Sequence, residues 1–289
     1  MTEQDPMPTN RPGGLFARLA RARPTKPGEI YGIPGQGNTL WLSVASIALF
    51  FFIWWLVTFM GWVKPLFIPS PMAIVTKFAS VWNTGFTGTP FLGHVWISTA
   101  RVFGAFLLAC AIGLPLGLAM GMSPIMRGIF DPPIEFYRPI PPLAYLPLMI
   151  IWFGIGEPSK VLLIFLSVFA PVVLGARSGV KSAGIEQIHA AYSFGATRWQ
   201  VMRFVIMPSA MPEILTAMRI GIGFGWTTLV AAEMVASTKG LGYMVLSASQ
   251  FLQTPVVIMG IFVIAVIAFA FDLLMRFVEH HVVPWKGRM

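Results

Sequence analysis

Six apolar runs, divided by polar segments, cover residues 40–60, 95–120, 128–155, 161–176, 214–234 and 256–274. At about 1.5 Å per residue, the first is long enough to cross a hydrocarbon core of about 30 Å. It also exceeds the apolar part of a secretory signal, so it is expected to stay as a span. The pattern predicts an all-α, polytopic membrane protein with six transmembrane helices and both ends on one side. The apolar parts of the third and fourth runs are short, and Pro133, Pro139, Pro141, Pro142 and Pro171 interrupt them. Backbone released by proline at membrane depth persists only where protein or a water-lined cavity covers it, so these spans are expected to face the bundle interior.

Composition supports the pattern. Of 289 residues, 56% are hydrophobic and 11% charged, where a soluble domain carries about a quarter charged residues. One cysteine, Cys110, lies inside an apolar run, which leaves no disulfide framework and no cysteine metal site. Residues 1–38 are rich in Pro, Gly and Arg without apolar periodicity and read as a cytoplasmic, disordered tail; residues 39–289 form the membrane domain. The formal charge of +9 could suggest nucleic acid, but its distribution suggests orientation instead. With the N-terminus inside, 13 Lys and Arg fall on inner segments against 4 on outer ones, Lys64, Lys77, Lys160 and Lys239. That predicts cytoplasmic N- and C-termini in the plasma membrane and no nucleic-acid partner. Segment 177–207 is then cytoplasmic and 237–254 external, the latter with a turn at Gly240 and Gly242 before a short interfacial helix.

No enzyme constellation is present. GARSGVKS, residues 175–182, has the wrong spacing for a phosphate loop and follows a span rather than a strand. His94, His189, His280 and His281 have no metal-ligand spacing. Any energy for uphill transport must therefore come from another chain. The charges within spans carry more information, because each costs at least about 2.5 kcal/mol at mid-membrane and needs a partner or water. Asp131, Glu135 and Arg138, at i, i+4 and i+7, share one helix face. They read as an ion pair that locks two helices or, at Arg138, as a contact for an anionic solute. Arg101 and Glu233 lie at comparable depth and are expected to pair; Arg219 is expected to pair near Glu213 or to snorkel. Gly221, Gly223 and Gly225 suggest close packing or a flexible point. Candidate residues for a path or its gating are Glu135, Arg138, Arg219 and Glu233.

Residues 185–203 read as helix, turn, helix, broken at Gly195, with a small apolar stripe of Ile185, Ile188, Ala191 and Tyr192. Such an element needs another protein to cover it. Its residues resemble the signature of permease subunits of bacterial ATP-binding cassette importers: Glu-Ala-Ala, three residues, Gly, nine residues, Ile-x-Leu-Pro. Here His189, Ala190 and Ala191 are followed at that spacing by Gly195 and by Val205, Ile206, Met207 and Pro208. The main departure is His189 in place of Glu. RVFGAFLLACAIGLPLGLAMGMS, PLMIIWFGIGEPSKVLL and LVAAEMVASTKGLGYMV resemble the subgroup that imports taurine, alkanesulfonates and nitrate; RGIFDPPIEFYRPIPPLAYLPLM, MPEILTAMRIGIGFGWTTLVAAEM and the ending VVPWKG are similar to its taurine permeases.

The resemblance implies a type I importer permease (MetI-like) fold in the inner membrane, with no cofactor of its own. It implies two permease copies, two cytoplasmic ATPases that bind ATP and Mg, and an extracytoplasmic solute-binding protein. His189, Ala190, Ala191, Gly195 and Ala196 would form the coupling element docked on the ATPase, and the path would lie between the permeases near the fifth span. The alternatives are a permease for another small sulfonate or anion and, in a different class, a self-sufficient channel or ion-coupled carrier.

Overall fold

The computed structural model describes residues 40–285; the tail expected over 1–38 lies outside them, as do Lys286 and Arg288. The described residues form helices, with one isolated bridge between Phe86 and Thr89. The chain divides into two compact units, one ending at Pro71 and the other beginning at Met72. The first contains α1 (Leu40–Phe59), after which the chain turns back until the Trp54 indole N–H donates to the Pro69 carbonyl, 3.1 Å.

The second unit holds α2 (Pro71–Thr84), α3 (Phe91–Met122), α4 (Pro124–Tyr137), α5 (Leu146–Phe153), α6 (Glu157–Val180), α7 (Ile185–Ser193), α8 (Arg198–Val201), α9 (Met207–Ala236), α10 (Leu241–Gln250) and α11 (Thr254–Val282). Among the described residues, five helical stretches are long and apolar enough to cross a membrane: Trp41–Phe59, Phe91–Met122, Glu157–Val180, Arg198–Ala236 and Thr254–Val282. The third expected span, 128–155, takes a broken form. Helix α4 stops at Tyr137, a single 3₁₀ turn follows at Pro142–Tyr145, and α5 completes the segment. Pro139, Pro141 and Pro142 cause the break, since each lacks the N–H the ladder needs and disfavours helix in the residue before it.

At the centre α6 packs against both α3 and α9. Val102, Ala105, Phe106 and Ala109 of α3 meet Ile164, Val168 and Val172 of α6 and Ile222, Trp226 and Leu229 of α9. Lipid supplies no hydrophobic drive between helices, so close contact across small residues must hold them together. Gly175 sits against Ala217 and Gly179 against Ala210, where an added Cβ would collide; Gly221 and Gly225 face Val168. Gly223 faces open space.

Helix α8 does not end before α9 begins. A π turn, Met202–Ile206, joins them into the continuous stretch Arg198–Ala236. Pro208 explains it: its missing N–H and its ring are incompatible with a regular bond to the Phe204 carbonyl. The wider turn absorbs the defect, and Met207 N–H donates instead to the carbonyl of Met202, five residues back.

Candidate functional site

Helix α3 presents His94, Ser98 and Arg101, spaced four and three residues apart, toward the C-terminal end of α9. Arg101 is buried, and its guanidinium fork engages two carboxylates. Nη1 donates to Glu233 Oε1 at 2.7 Å and to the Lys239 carbonyl at 3.0 Å. Nε and Nη2 each donate to one oxygen of Glu157 at 2.6 Å, a bidentate pair. Glu157 opens α6, where the helix dipole favours a carboxylate, and it also accepts from Lys160 Nζ at 2.9 Å. Glu233 is fully buried and accepts from Ser98 Oγ at 2.8 Å and from Gly242 N–H at 2.8 Å. The Ser98 hydroxyl in turn accepts from Leu241 N–H, 2.8 Å.

His94 completes the network: Gly240 N–H donates to Nδ1 and Nε2–H donates to the Phe86 carbonyl, both at 3.1 Å. The expected Arg101–Glu233 pair is thus formed. In the sequence Glu157 and Ser98 carry no signal of their own, and Lys160 reads only as an outer basic residue and His94 only as a histidine without metal spacing, although the His94, Ser98, Arg101 spacing is a visible one-face signal. Gly240 has φ +127°, and a Cβ there would run into the Glu233 carboxylate. A cavity of about 380 Å³ borders the network, lined by Trp96, Arg101, Glu157, Lys160 and Lys239.

The other charges pair differently from the simplest expectation. Asp131, Glu135 and Arg138 share a face as their spacing requires, and the cation opposite them is Arg177 of α6. Arg177 pairs with Asp131 and stands 3.6 Å from Glu135, while Arg138 is 3.4 Å from Glu135. Arg219 meets Asp272 at 3.6 Å and Glu279 at 3.5 Å, both on α11, and not the neighbouring Glu213. Six residues at about 100° each carry Glu213 well off the face of Arg219, and it is exposed. Between the broken third segment, α6 and α9 lies a cavity of about 370 Å³, lined among others by Tyr137, Arg138, Tyr145, Ser167 and Phe224.

The segment over 185–203 is a helix, a turn and a helix. Helix α7 has no buried residue: His189 and Ala190 are exposed, Ala191 and Ala196 half-buried. Of the expected stripe, Ile188 and Ala191 are half covered by the chain itself, and Ile185 and Tyr192 stay exposed. Gly195 takes φ +79°, the left-handed conformation that ends many helices. Its N–H donates to Tyr192 and that of Ala196 to Ala191, at 2.9 and 3.1 Å. Thr197 and Gln200 then form a capping box that starts α8. Phe194, just before the turn, is 91% exposed and was not singled out in the sequence. GARSGVKS runs from α6 into the turn after it, without the strand a phosphate loop requires.

Residues 113–284 match the model of one family, the binding-protein-dependent transport system inner membrane component. The chain belongs to that family. The permease relatives are extensive: the chain is 51% identical over 249 residues to the taurine transport system permease protein TauC of Escherichia coli, covering 86% of this chain and 90% of that one. It is 34% identical to an aliphatic sulfonates transport permease protein, SsuC, described in Bacillus subtilis, covering 88% of this chain and 91% of the relative. A chain of the MetNI methionine ABC transporter, in an inward-facing conformation, shares the fold at TM-score 0.58 and 17% identity, covering 65% of this chain and 94% of that one. As a member of this family the protein is a multi-pass inner-membrane permease subunit of an ATP-binding cassette importer. It is a transport component rather than an enzyme, and its family works with an ATPase and a binding protein.

Proposed function

We propose that this chain forms the translocation path for taurine, 2-aminoethanesulfonate, in an ATP-driven importer. The observation that carries the substrate is the 51% identity to the taurine permease, spread over 86% of the chain. In this reading two copies face each other, two cytoplasmic ATPases bind ATP and Mg, and an extracytoplasmic binding protein delivers the solute. Both termini lie inside, which puts 13 basic residues there against 4 outside. Helix α7 and its turn, with His189, Ala190, Ala191, Gly195 and Ala196, dock on the ATPase, and exposed Phe194 extends that surface. Because the turn runs straight into α9 through the π turn, a push on α7 reaches the membrane without a flexible link. Glu135 and Arg138 belong to the path and Arg219 to its gating, with Glu233, held by Arg101, as the fixed end against which the gate works.

Reconstitution with the ATPase and binding protein tests the substrate. Taurine with its binding protein should raise the ATPase rate and be accumulated; stimulation by a desulfonated analogue but not by taurine would sink the assignment. Another small sulfonate is the nearest alternative, given the sulfonate relative. For the coupling element, Gly195→Pro is expected to abolish co-purification with the ATPase while leaving membrane insertion intact, because proline cannot adopt φ +79°. Normal co-purification would remove the turn from the docking surface.

A further inference from the structure

The cavity beside Arg138 lies half-way along the bundle. Its α6 wall, around Ser167 and Pro171, is about 15–21 Å from the start of a helix about 36 Å long. Phe224, on the opposite wall, stands near the middle of α9. Its volume of about 370 Å³ is at the small end of the range for small-molecule sites, about 300–1,000 Å³.

The charges around it are unevenly matched. Among the described residues Arg138 has one carboxylate within ion-pair distance, Glu135 at 3.4 Å, and that carboxylate also faces Arg177. The Arg138 side chain is 53% exposed, and a guanidinium carries five N–H donors, more than one carboxylate can engage. A proline supplies the opposite need at the wall itself: Pro171, inside α6, has no N–H to give to the carbonyl of Ser167 four residues earlier. A freed carbonyl at membrane depth requires a donor. Tyr137, Tyr145 and Phe224 add aromatic faces, which attract a cation. The site therefore offers a cation and, across from it, a carbonyl released from the helical ladder beside aromatic rings.

We propose that this cavity binds a small zwitterion, with its sulfonate on Arg138 and its ammonium on the freed Ser167 carbonyl and the aromatic rings. The inference rests on the importer reading above and adds where the solute stands and which of its ends each group holds. A sulfonate presents several oxygens to the guanidinium fork, and an ammonium can donate to a carbonyl while resting against aromatic faces. Two other cavities lack this pairing. At the end of the bundle the Arg101 donors already engage Glu157, Glu233 and Lys239, and the cavity between α2, α3 and α11 is lined by apolar residues alone.

The test uses the whole complex in nanodiscs. Cys110→Ala removes the native thiol, and Phe224→Cys or, independently, Ile140→Cys places one on the cavity wall. Modification by a methanethiosulfonate carrying an ethanesulfonate group is compared with modification by its ethylammonium counterpart, each scaled to its rate with a free thiol. The sulfonate reagent should react about tenfold faster than the cationic one at the sites nearest Arg138, and saturating taurine should slow it severalfold. Adding Arg138→Gln should remove both the charge preference and the protection. Equal, unprotected rates in a complex that imports taurine would overturn the site and leave the importer reading standing; so would failure of both thiols to react. Protection by another small sulfonate, in a complex that does not import taurine, would keep the site and overturn the taurine assignment.

Discussion

Near the C-terminal end of α9, Arg101 reaches Glu233 at 2.7 Å and Glu157 at 2.6 Å, and the side chains of Arg101 and Glu233 are 5% and 0% exposed. In the other half of α9, Arg219 stands 3.6 Å from Asp272 and 3.5 Å from Glu279, with a third of its own side chain exposed. Both clusters tie helices together by charge, yet their physics differs. The first is short and saturated with hydrogen bonds, and although Glu157 is exposed its Arg101–Glu233 core is buried, so separating that pair would leave unpaired buried ions at high cost. The second is long and partly wet, so it can open and re-form for little. One half of α9 is thereby anchored by charge, while in the other, packed on α6, the ionic tie to α11 is loose, as a helix driven from α7 would require.

Removal of Arg101 should give the largest effect. Arg101→Met leaves Glu233 buried without its cation and is expected to destabilise the protein by about 3–5 kcal/mol, read from unfolding in detergent. Adding Glu233→Leu should recover part of that loss, because no unpaired charge then remains in the core. A single-mutant loss under about 1 kcal/mol would make the network no firmer than the Arg219 pair and erase the contrast.

Gly240→Ala tests the same anchor through the backbone. A side chain at φ +127° is strained and would press on the Glu233 carboxylate, so a loss of about 1–3 kcal/mol is expected in the same unfolding measurement. A neutral result would show that the turn between α9 and α10 relaxes without disturbing the carboxylate.

The sequence shows the anchor only in part, for reasons that differ by residue. The depth argument reaches Arg101 and Glu233 because both lie within apolar runs, where a charge must find a partner. Glu157 escaped it because it stands at a helix start beside Lys160, where a local pair satisfies the pattern. The helix-turn-helix over 185–203 was legible because Gly195 interrupts an otherwise helical stretch. The break in the third span was only half legible: the prolines show where the helix weakens, but whether it kinks or ends depends on what packs around it. Helix α2 gives a fainter signal still, two buried positions, Ile74 and Val81, two turns apart. The partners of Arg219 could not be read at all, since which helix approaches α9 from α11 is a tertiary fact. Sequence proximity favours Glu213, and the helical turn angle removes it.

The smallest expected change in stability, and the sharpest test of the contrast, comes from Arg219→Gln. Partly exposed pairs at 3.5–3.6 Å contribute at most about 1 kcal/mol, so unfolding should shift by no more than that. Transport should respond more visibly if the pair forms in one conformation and opens in the other. Loss of about 1 kcal/mol from one side of a two-state equilibrium changes its population about fivefold, so the ATPase rate of the complex without solute should change by up to that factor. Raising the salt concentration should narrow the difference between wild type and variant, since these groups lie within reach of counter-ions, and should affect the buried Arg101–Glu233 pair little. A stability loss of several kcal/mol on Arg219→Gln, with an unaltered ATPase rate, would make this pair a second anchor and move the compliant part of α9 elsewhere.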